Sequence, residues 1–415
     1  MLVTSDLPLR TRFAIAAART AAAVSRWTGR GSGGMIGGRI ALKLDPHALE
    51  RLSRGRTVLL VTGTNGKTTT TLMLRRAIEA LAPVASNGDG ANMPDGVLAA
   101  LMANLDARFA VLEVDETYVP WVAERVSPAA LVLLNLSRDQ LDRVGEVRKI
   151  ERDLRAGIAR LSDTAVVANC DDVLVASAAG AGNHPVWVST GQSWRDDSVA
   201  CPRCGRAVRH HPQDKMEWDC VCGLARPTPD WVLDGDYLTG PDNPPEQLEL
   251  SLPGRVNAVN AALALAAATS VGVPLSQAVE RIRSITAVAG RYQRVPYTGH
   301  AVRVLLAKNP AGWSETLMML EPDQPVVIAV NAREADGRDL SWLWDVPFEK
   351  LRGRRVIATG ERSADLAVRL RYAEVDSVSQ PDPLRAVASL DQGPVELIAN
   401  YTAFREVNVR LADAH

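Results

Sequence analysis

Residues Val61 to Leu74, VTGTNGKTTTTLML, have the types and spacing of a phosphate-binding loop. Gly63 and Gly66 bound a turn through Thr64 and Asn65, and Lys67, Thr68 and Thr69 follow at an expected helix start. Backbone N–H groups in such a turn and the dipole of the helix behind it converge on an anion. Lys67 then reaches the outer phosphates, and the Thr68 hydroxyl suits a Mg²⁺ ion. Only Thr64 and Asn65 separate the two glycines, so the loop is shorter than the GxxxxGK[ST] pattern. Its context makes the case: the apolar, β-branched RTVLLV precedes it and helical spacing over 68–82 follows. A nucleotide is the expected ligand.

Three further stretches carry polar residues to the same place. FAVLEVDETYVP closes an apolar run with Glu113, Asp115 and Glu116. Carboxylates at the carboxyl end of a strand beside a phosphate loop suit Mg²⁺, with Glu113 the expected ligand beside Thr68. A solvated acidic loop is the alternative. LNLSRDQLDRVGE puts Asn135, Asp139, Gln140 and Asp142 after the next strand. In LPGRVNAVNAALALAAA, Asn257 and Asn260 share one helix face, where amides read an adenine edge or orient a phosphate. Capping accounts for Asn257 equally well.

Cys201 and Cys204 are spaced C-x-x-C, and Cys220 and Cys222 are spaced C-x-C, each pair followed by glycine. Two thiolate pairs at this separation predict a tetrahedral structural Zn²⁺ in a ribbon. The tighter second pair keeps His210 or His211 open as an alternative ligand. Four thiolates leave no open coordination position, so the expected role is a staple rather than catalysis. Cys170 is expected in the core. Clustered cysteines fit a reducing compartment, hence a cytoplasmic protein.

These side chains need a scaffold. Strands are predicted over 57–61, 108–114, 130–134 and 164–168, with helices over 68–82, 96–104 and 146–161. The alternation predicts an α/β fold, a mostly parallel sheet covered by helices on both faces. Ligands then bind at the carboxyl ends of the strands. Between Ser189 and Pro253 the pattern breaks into an insertion with little core of its own, holding the ribbon at about 198–228. Helical spacing resumes over 257–270. A second alternation starts near Ala301, in AVRVLLA, PVVIAVN, RRVIATG and VELIAN. VPYTG, Val295 to Gly299, is the expected linker, giving a central domain over 1–295 and a C-terminal Rossmann-like domain over 296–415.

The 415 residues are 47% hydrophobic and 23% charged, with a net charge of −1. That composition supports a full core and argues against a general electrostatic grip on nucleic acid. No apolar run approaches the ~18 residues of a membrane span. In LRTRFAIAAARTAAAVSRWTGR the longest apolar run, Phe13 to Ala18, lies between arginines and is too short for a signal-peptide core. The segment is expected as an amphipathic helix packed on the first domain. Peripheral contact with the inner membrane face through Arg10, Arg12, Arg19 and Arg26 is the sharper alternative.

GTNGKTTT, LEVDE, LNLSRDQLDRVGE, LPGRVNAVNAALA and AGRYQRV occur in the order and spacing of the Mur ligase central domain. The chain therefore resembles the Mur ligase family, which includes cell-wall amino-acid ligases and folylpolyglutamate synthase. The ribbon, NAREADGRDLSWLWDVPFE and NYTAFREV make it similar to the MurT subgroup. The resemblance implies a ligase subunit that uses ATP to activate the α-carboxylate of D-glutamate in the lipid II stem peptide as an acyl phosphate. Ammonia from a GatD-like glutaminase partner, bound as a heterodimer, then gives D-isoglutamine. It adds Arg291 and Asn309, in LAKNPAGWSETL, to the nucleotide residues, with a helix cap as the alternative for Asn309. It also implies that an Asp of the ADGRDLSWLWD run completes the partner's triad, with Asp339 favoured over Asp345 and Asp336 a further candidate. Trp342 and Trp344 become contact candidates, with ordinary packing as the alternative. Three departures separate the chain from the amino-acid-adding ligases: Gln140 and Val256 replace their usual histidines, and 151–161 has arginines but no lysine for carbamylation. A self-contained amino-acid ligase or a folylpolyglutamate-synthase-like enzyme is the alternative within this fold. A P-loop motor with a nucleic-acid-binding ribbon and a non-catalytic scaffold are the rivals outside it.

Overall fold

The computed structural model describes residues 7–27, 34–87, 90–138, 146–191, 196–211, 216–286, 288 and 292–413. The chain divides into two units. One comprises Met1–Leu136, Arg148–Leu252 and Val256–Thr286; the other comprises Ser137–Val147, Pro253–Arg255 and Ala287–His415.

The first unit opens with helices α1 (Leu9–Trp27), α2 (Gly34–Leu44) and α3 (Ala48–Ser53). The predicted alternation follows: β1 (Thr57–Thr62), α4 (Lys67–Ile78), β2 (Val84–Ser86), α5 (Pro94–Ala103), β3 (Phe109–Glu113), α6 (Val119–Val126) and β4 (Ala130–Leu133). It continues through α7 (Glu146–Ile158), β5 (Ala165–Asn169), α8 (Val173–Ala179) and β6 (His184–Ser189). Leu59, Leu60 and Val61 of β1 and Ala110, Val111 and Leu112 of β3 are fully buried, as strands covered on both faces require. β1 lies between β3 and β4, parallel to both, with Val61 opposite Glu113 and Thr62 opposite Leu133. That register brings three strand ends to one spot.

The insertion departs from expectation. β7 (Arg209–His210) and β8 (Trp218–Asp219) form a small ribbon, but β9 (Trp231–Asp234), β10 (Tyr237–Thr239) and β11 (Glu246–Gln247) extend the main sheet. The sheet order is β11-β10-β9-β6-β5-β4-β1-β3-β2. β9 is parallel to β6, and β10 and β11 add antiparallel. Alternating burial of Trp231 and Leu233 seats β9 on one face only, which the polar composition concealed. The unit closes with α9 (Arg255–Ser270) and α10 (Leu275–Arg283).

The second unit starts with the hairpin β12 (Tyr292–Tyr297) and β13 (His300–Leu306), so the expected linker over 295–299 is strand and turn. Thr298 and Gly299, both at positive φ, form its two-residue loop, the requirement of a type I′ turn. Then come α11 (Pro310–Met318), β14 (Val326–Ala329), β15 (Val356–Thr359), α12 (Ser363–Tyr372), β16 (Ser377–Ser379), α13 (Pro383–Ala388), β17 (Pro394–Ala399) and α14 (Tyr401–Asp413). The order β12-β13-β17-β14-β15-β16 is parallel apart from the hairpin. Trp313, Trp342 and Phe348 fill one face of this sheet, and Leu384, Phe404 and Val407 the other.

Across β13 and β17, Arg303 and Glu396 stand opposite each other, both almost completely buried. Arg303 Nε donates to Glu396 Oε2 at 2.7 Å, and its NH2 nitrogen is 2.7 Å from Oε1. Glu396→Ala leaves that guanidinium buried without its carboxylate, so urea unfolding is expected to register a loss of about 3–5 kcal/mol. The pair Arg303→Met with Glu396→Leu should recover most of it. A loss near zero for the single change would show that the pair does not brace the sheet.

Candidate functional site

The phosphate loop sits where the strand order predicts, at the carboxyl end of β1, and α4 begins at Lys67. Gly63 and Gly66 both have positive φ, at 136° and 88°. A Cβ on Gly63 would lie 2.9 Å from Leu134 Cβ, and one on Gly66 would lie 2.4 Å from Asn260 Oδ1. Conformation and space both demand glycine. The close approach to Gly66 also places buried Asn260 of α9 against the loop, while Asn257 lies one turn earlier in the same helix. Asn135 clamps the loop from just beyond the end of β4: Thr64 N–H donates to its carbonyl at 2.9 Å, and Asn65 N–H to its Oδ1 at 2.9 Å. Its own amide returns a bond to Asn65 O at 3.0 Å. Asn135 is thus a loop-setting residue in this structure. Thr69, like Lys67 and Thr68, is buried in the first turn of α4, whose N-cap is glycine and supplies no capping side chain.

The Lys67 ammonium donates to Gly63 O at 2.6 Å and lies 3.1 Å from Glu116 Oε2. Thr68 Oγ1 donates to Glu113 Oε2 at 2.9 Å. Glu113 is held on three sides. Its N–H donates to Asn87 Oδ1 at 2.8 Å, Asn87 Nδ2 donates to its carbonyl at 2.8 Å, and Asn92 Nδ2 reaches Oε1 at 3.2 Å. Asn87 and Asn92 lie 26 and 21 residues before Glu113, in no recognisable spacing with it. A hydroxyl and a buried carboxylate are hard oxygen donors, which fits Mg²⁺ beside a polyphosphate. The glycine loop, lysine and uncapped helix start fit the polyphosphate itself. Asp115 turns away, accepting from Thr117 N–H at 3.0 Å. Asp139, Gln140, Asp142 and Arg291 lie outside the described residues.

In the second unit Asn309 is the N-cap of α11, accepting from Gly312 N–H at 2.9 Å. The loop after β14 is braced by reciprocal amide bonds: Asn400 Nδ2 to Asn331 O at 2.7 Å and Asn331 N–H to Asn400 Oδ1 at 3.1 Å. Asp336 is buried and bonded to the N–H and hydroxyl of Thr402. Asp339 is exposed, and its carboxylate accepts from Ser341 N–H at 2.8 Å, which holds its pKa below the usual carboxylate value. Asp345 is half-buried, 3.6 Å from Arg138 of the same unit. Trp342 packs in the core against Trp313, whereas Trp344 is 54% exposed and edge-on to Tyr372. Only Trp344 remains a contact candidate.

The four clustered thiols converge. Cys201, Cys204, Cys220 and Cys222 Sγ atoms all lie within 4.8 Å of one another. Gly205 and Gly223, both at positive φ, turn the chain after each pair. Burial pushes the Cys201 thiol up to about 12, while the Leu224 N–H pulls Cys222 down to about 7. His211 Nε2 is engaged with Asp219 at 2.7 Å, and among the described residues the cluster comprises the cysteines alone. Four soft sulfurs at this separation fit Zn²⁺. Cys170 is buried, as expected.

This architecture is that of a Mur-type ligase. The structure is similar to a pseudomurein peptide ligase type C from Methanothermus fervidus, with TM-score 0.69, 18% identity, and coverage of 90% of this chain and 84% of that one. A MurF ligase from Thermotoga maritima, solved in complex with ADP, matches with TM-score 0.60, 16% identity, and coverage of 88% and 82%. Residues 61–217 match the family described as Mur ligase middle domain, and 306–404 match MurT ligase C-terminal. The chain is 30% identical, over 95% of its length and 96% of the relative's, to the lipid II isoglutaminyl synthase (glutamine-hydrolyzing) subunit MurT of Staphylococcus aureus strain N315. It is 26% identical to the Streptococcus pneumoniae protein of that description, over 97% of each. The chain belongs to the MurT branch of the Mur ligase family.

Purified protein is expected to carry about one zinc per chain by elemental analysis. Cys204→Ser should lower that content, and chelation should speed hydrogen exchange across 201–226 while β1 and β3 stay protected. Metal-free protein with normal ribbon protection would remove the zinc assignment.

Proposed function

We propose that this chain is the ATP-dependent ligase subunit of a lipid II isoglutaminyl synthase, acting in peptidoglycan synthesis with glutamine as nitrogen source. The observation that carries this reading is the second unit. Its match to the MurT C-terminal family separates the chain from ligases that add a whole amino acid.

A carboxylate is a poor electrophile because its charge is delocalised and it has no leaving group. Transfer of the γ-phosphoryl of ATP to one oxygen of the D-glutamate α-carboxylate gives an acyl phosphate and ADP. Ammonia then attacks the carbonyl carbon and inorganic phosphate departs, leaving the amide and releasing a proton. Lys67 neutralises charge that accumulates on the transferring phosphoryl group. The Thr68 hydroxyl and Glu113 carboxylate hold the metal position, Asn87 and Asn92 fix Glu113, and the Asn135 clamp fixes the loop. Mg²⁺ bound there supplies charge neutralisation along the phosphate chain. Asn260 orients the loop or the nucleotide, with Asn257 as a further nucleotide contact; Asn309 and Arg291 are candidates on the family resemblance alone. Ammonia needs no pocket for a nucleophile's side chain, which agrees with the absence of lysine from 151–161.

The partner is a GatD-like glutaminase in a heterodimer. Asp339 is the residue that orients the histidine of its triad. It is supported by exposure and by the Ser341 N–H that aims its carboxylate, whereas Asp336 is consumed in bracing the loop and Asp345 faces Arg138. The domain division we favour is a central ATP domain followed by the MurT-type domain, with the boundary before β12 rather than at 295/296, because that hairpin belongs to the second unit. The clustered cysteines support a reducing compartment, and the cytoplasm is the location we favour. Among the described residues no helix is long and apolar enough to cross a membrane.

Two variants separate the roles. With the partner and a lipid II analogue present, Lys67→Ala should abolish amidation with either glutamine or ammonia. Asp339→Asn should lose glutamine-dependent amidation by a factor approaching the ~10⁴ of an Asp→Asn change in a serine triad, because the histidine takes the wrong tautomer. It should keep ammonia-dependent amidation. Equal loss with both nitrogen sources in Asp339→Asn would place that residue in the ligase site or the fold.

A further inference from the structure

We propose that the outer face of α1 docks the protein on an anionic membrane surface. The inner face of this helix is fixed in the first unit. Thr11, Ala14, Ile15 and Ala18 are buried, and a Cβ on Gly37 of α2 would lie 2.9 Å from Ala18 O. Thr11 Oγ1 donates to Asp45 Oδ2 at 2.6 Å, Arg51 reaches the same carboxylate at 2.7 Å, and Arg10 Nε donates to Leu44 O at 2.6 Å. The helix is therefore anchored and cannot turn its other face inward.

That other face is apolar too. Leu9, Phe13 and Trp27 are 79%, 65% and 88% exposed, and with Ala16, Thr20 and Val24 they follow one another at three- or four-residue steps. Helical geometry makes this a single stripe. Exposed aromatic and aliphatic side chains of this size on a fixed helix mark a contact surface. The charge pattern selects the occupant. From Leu9 to Trp27 there are four arginines, at 10, 12, 19 and 26, and no acidic residue, in a chain whose net charge is −1. Arg12 and Arg19 are exposed. A second copy would bring like charge against like charge. An anionic lipid surface supplies the opposite charge to the arginines and an interfacial layer for Phe13 and Trp27. The purpose of such docking rests on the lipid II substrate proposed above; the binding itself is read from α1 alone.

The test is co-sedimentation of the full chain with vesicles, scored apart from amidation. Vesicles of phosphatidylcholine with about 30 mol% phosphatidylglycerol should bind the protein, and pure phosphatidylcholine should bind it at least about tenfold more weakly. Phe13→Glu with Trp27→Glu should cut binding about tenfold or more, and Arg12→Glu should cut it severalfold and flatten its salt dependence. Unchanged melting temperatures and ATP affinity show that the variants fold. No preference for anionic vesicles, or unchanged binding in the double variant, overturns the proposal. So does a concentration-dependent dimer that the double variant abolishes. Vesicle binding without amidation of lipid II would remove the proposed substrate and leave the docking face standing.

Discussion

The 2.9 Å bond from Thr68 Oγ1 to Glu113 joins the first turn of α4 to the last residue of β3, and the site depends on it. Neither residue could reach the other without the parallel register that sets Val61 opposite Glu113. Shifting β3 by one residue would turn Glu113 to the other face of the sheet. Asn135, one strand over, depends equally on Thr62 facing Leu133. The chemistry of the loop is thus a consequence of three strand ends meeting at one point where the chain order crosses over.

The two units solve different problems with the same α/β construction. In the first, glycines at positive φ and a helix start without a capping side chain shape a turn that suits a polyphosphate. In the second, polar side chains at the ends of β14 and β17 are spent on each other. The Asn331–Asn400 exchange and the Asp336–Thr402 bond hold a loop whose own fold is only short helical turns. Buried amides that satisfy one another in this way fix a single geometry, since any slip strands a polar group without a partner. Asp339 and Trp344 are presented to solvent from that braced frame.

Local sequence carried the phosphate loop, Glu113 and the thiolate cluster, because each rests on residue types at fixed short spacing. It named Asn135 and Glu116 but not the contacts they make, and it did not carry Asn87 or Asn92. Asn87 and Asn92 reach Glu113 across 26 and 21 residues, and Glu116 meets Lys67 across 49. β9 to β11 escaped because their residues are polar on one face, although Gly235–Asp236 in LDGDYL carried a hairpin signal. The hairpin at Thr298–Gly299 was concealed by Pro296, which sits in β12 opposite Ala301. Two of the three triad candidates were separated only by tertiary contacts, Asp336 by its bonds to Thr402 and Asp345 by Arg138.

In the proposed reaction the substrate carboxylate is activated by phosphoryl transfer at the Lys67 loop. Labelling both oxygens of the D-glutamate α-carboxylate with ¹⁸O and following the label through one round of amidation tests it directly. Acyl phosphate chemistry predicts one labelled oxygen in inorganic phosphate and one in the product amide, with ADP unlabelled and no AMP formed. Label recovered in AMP would mean activation as an acyl adenylate, and unlabelled phosphate would mean that ATP is cleaved without activating the carboxylate.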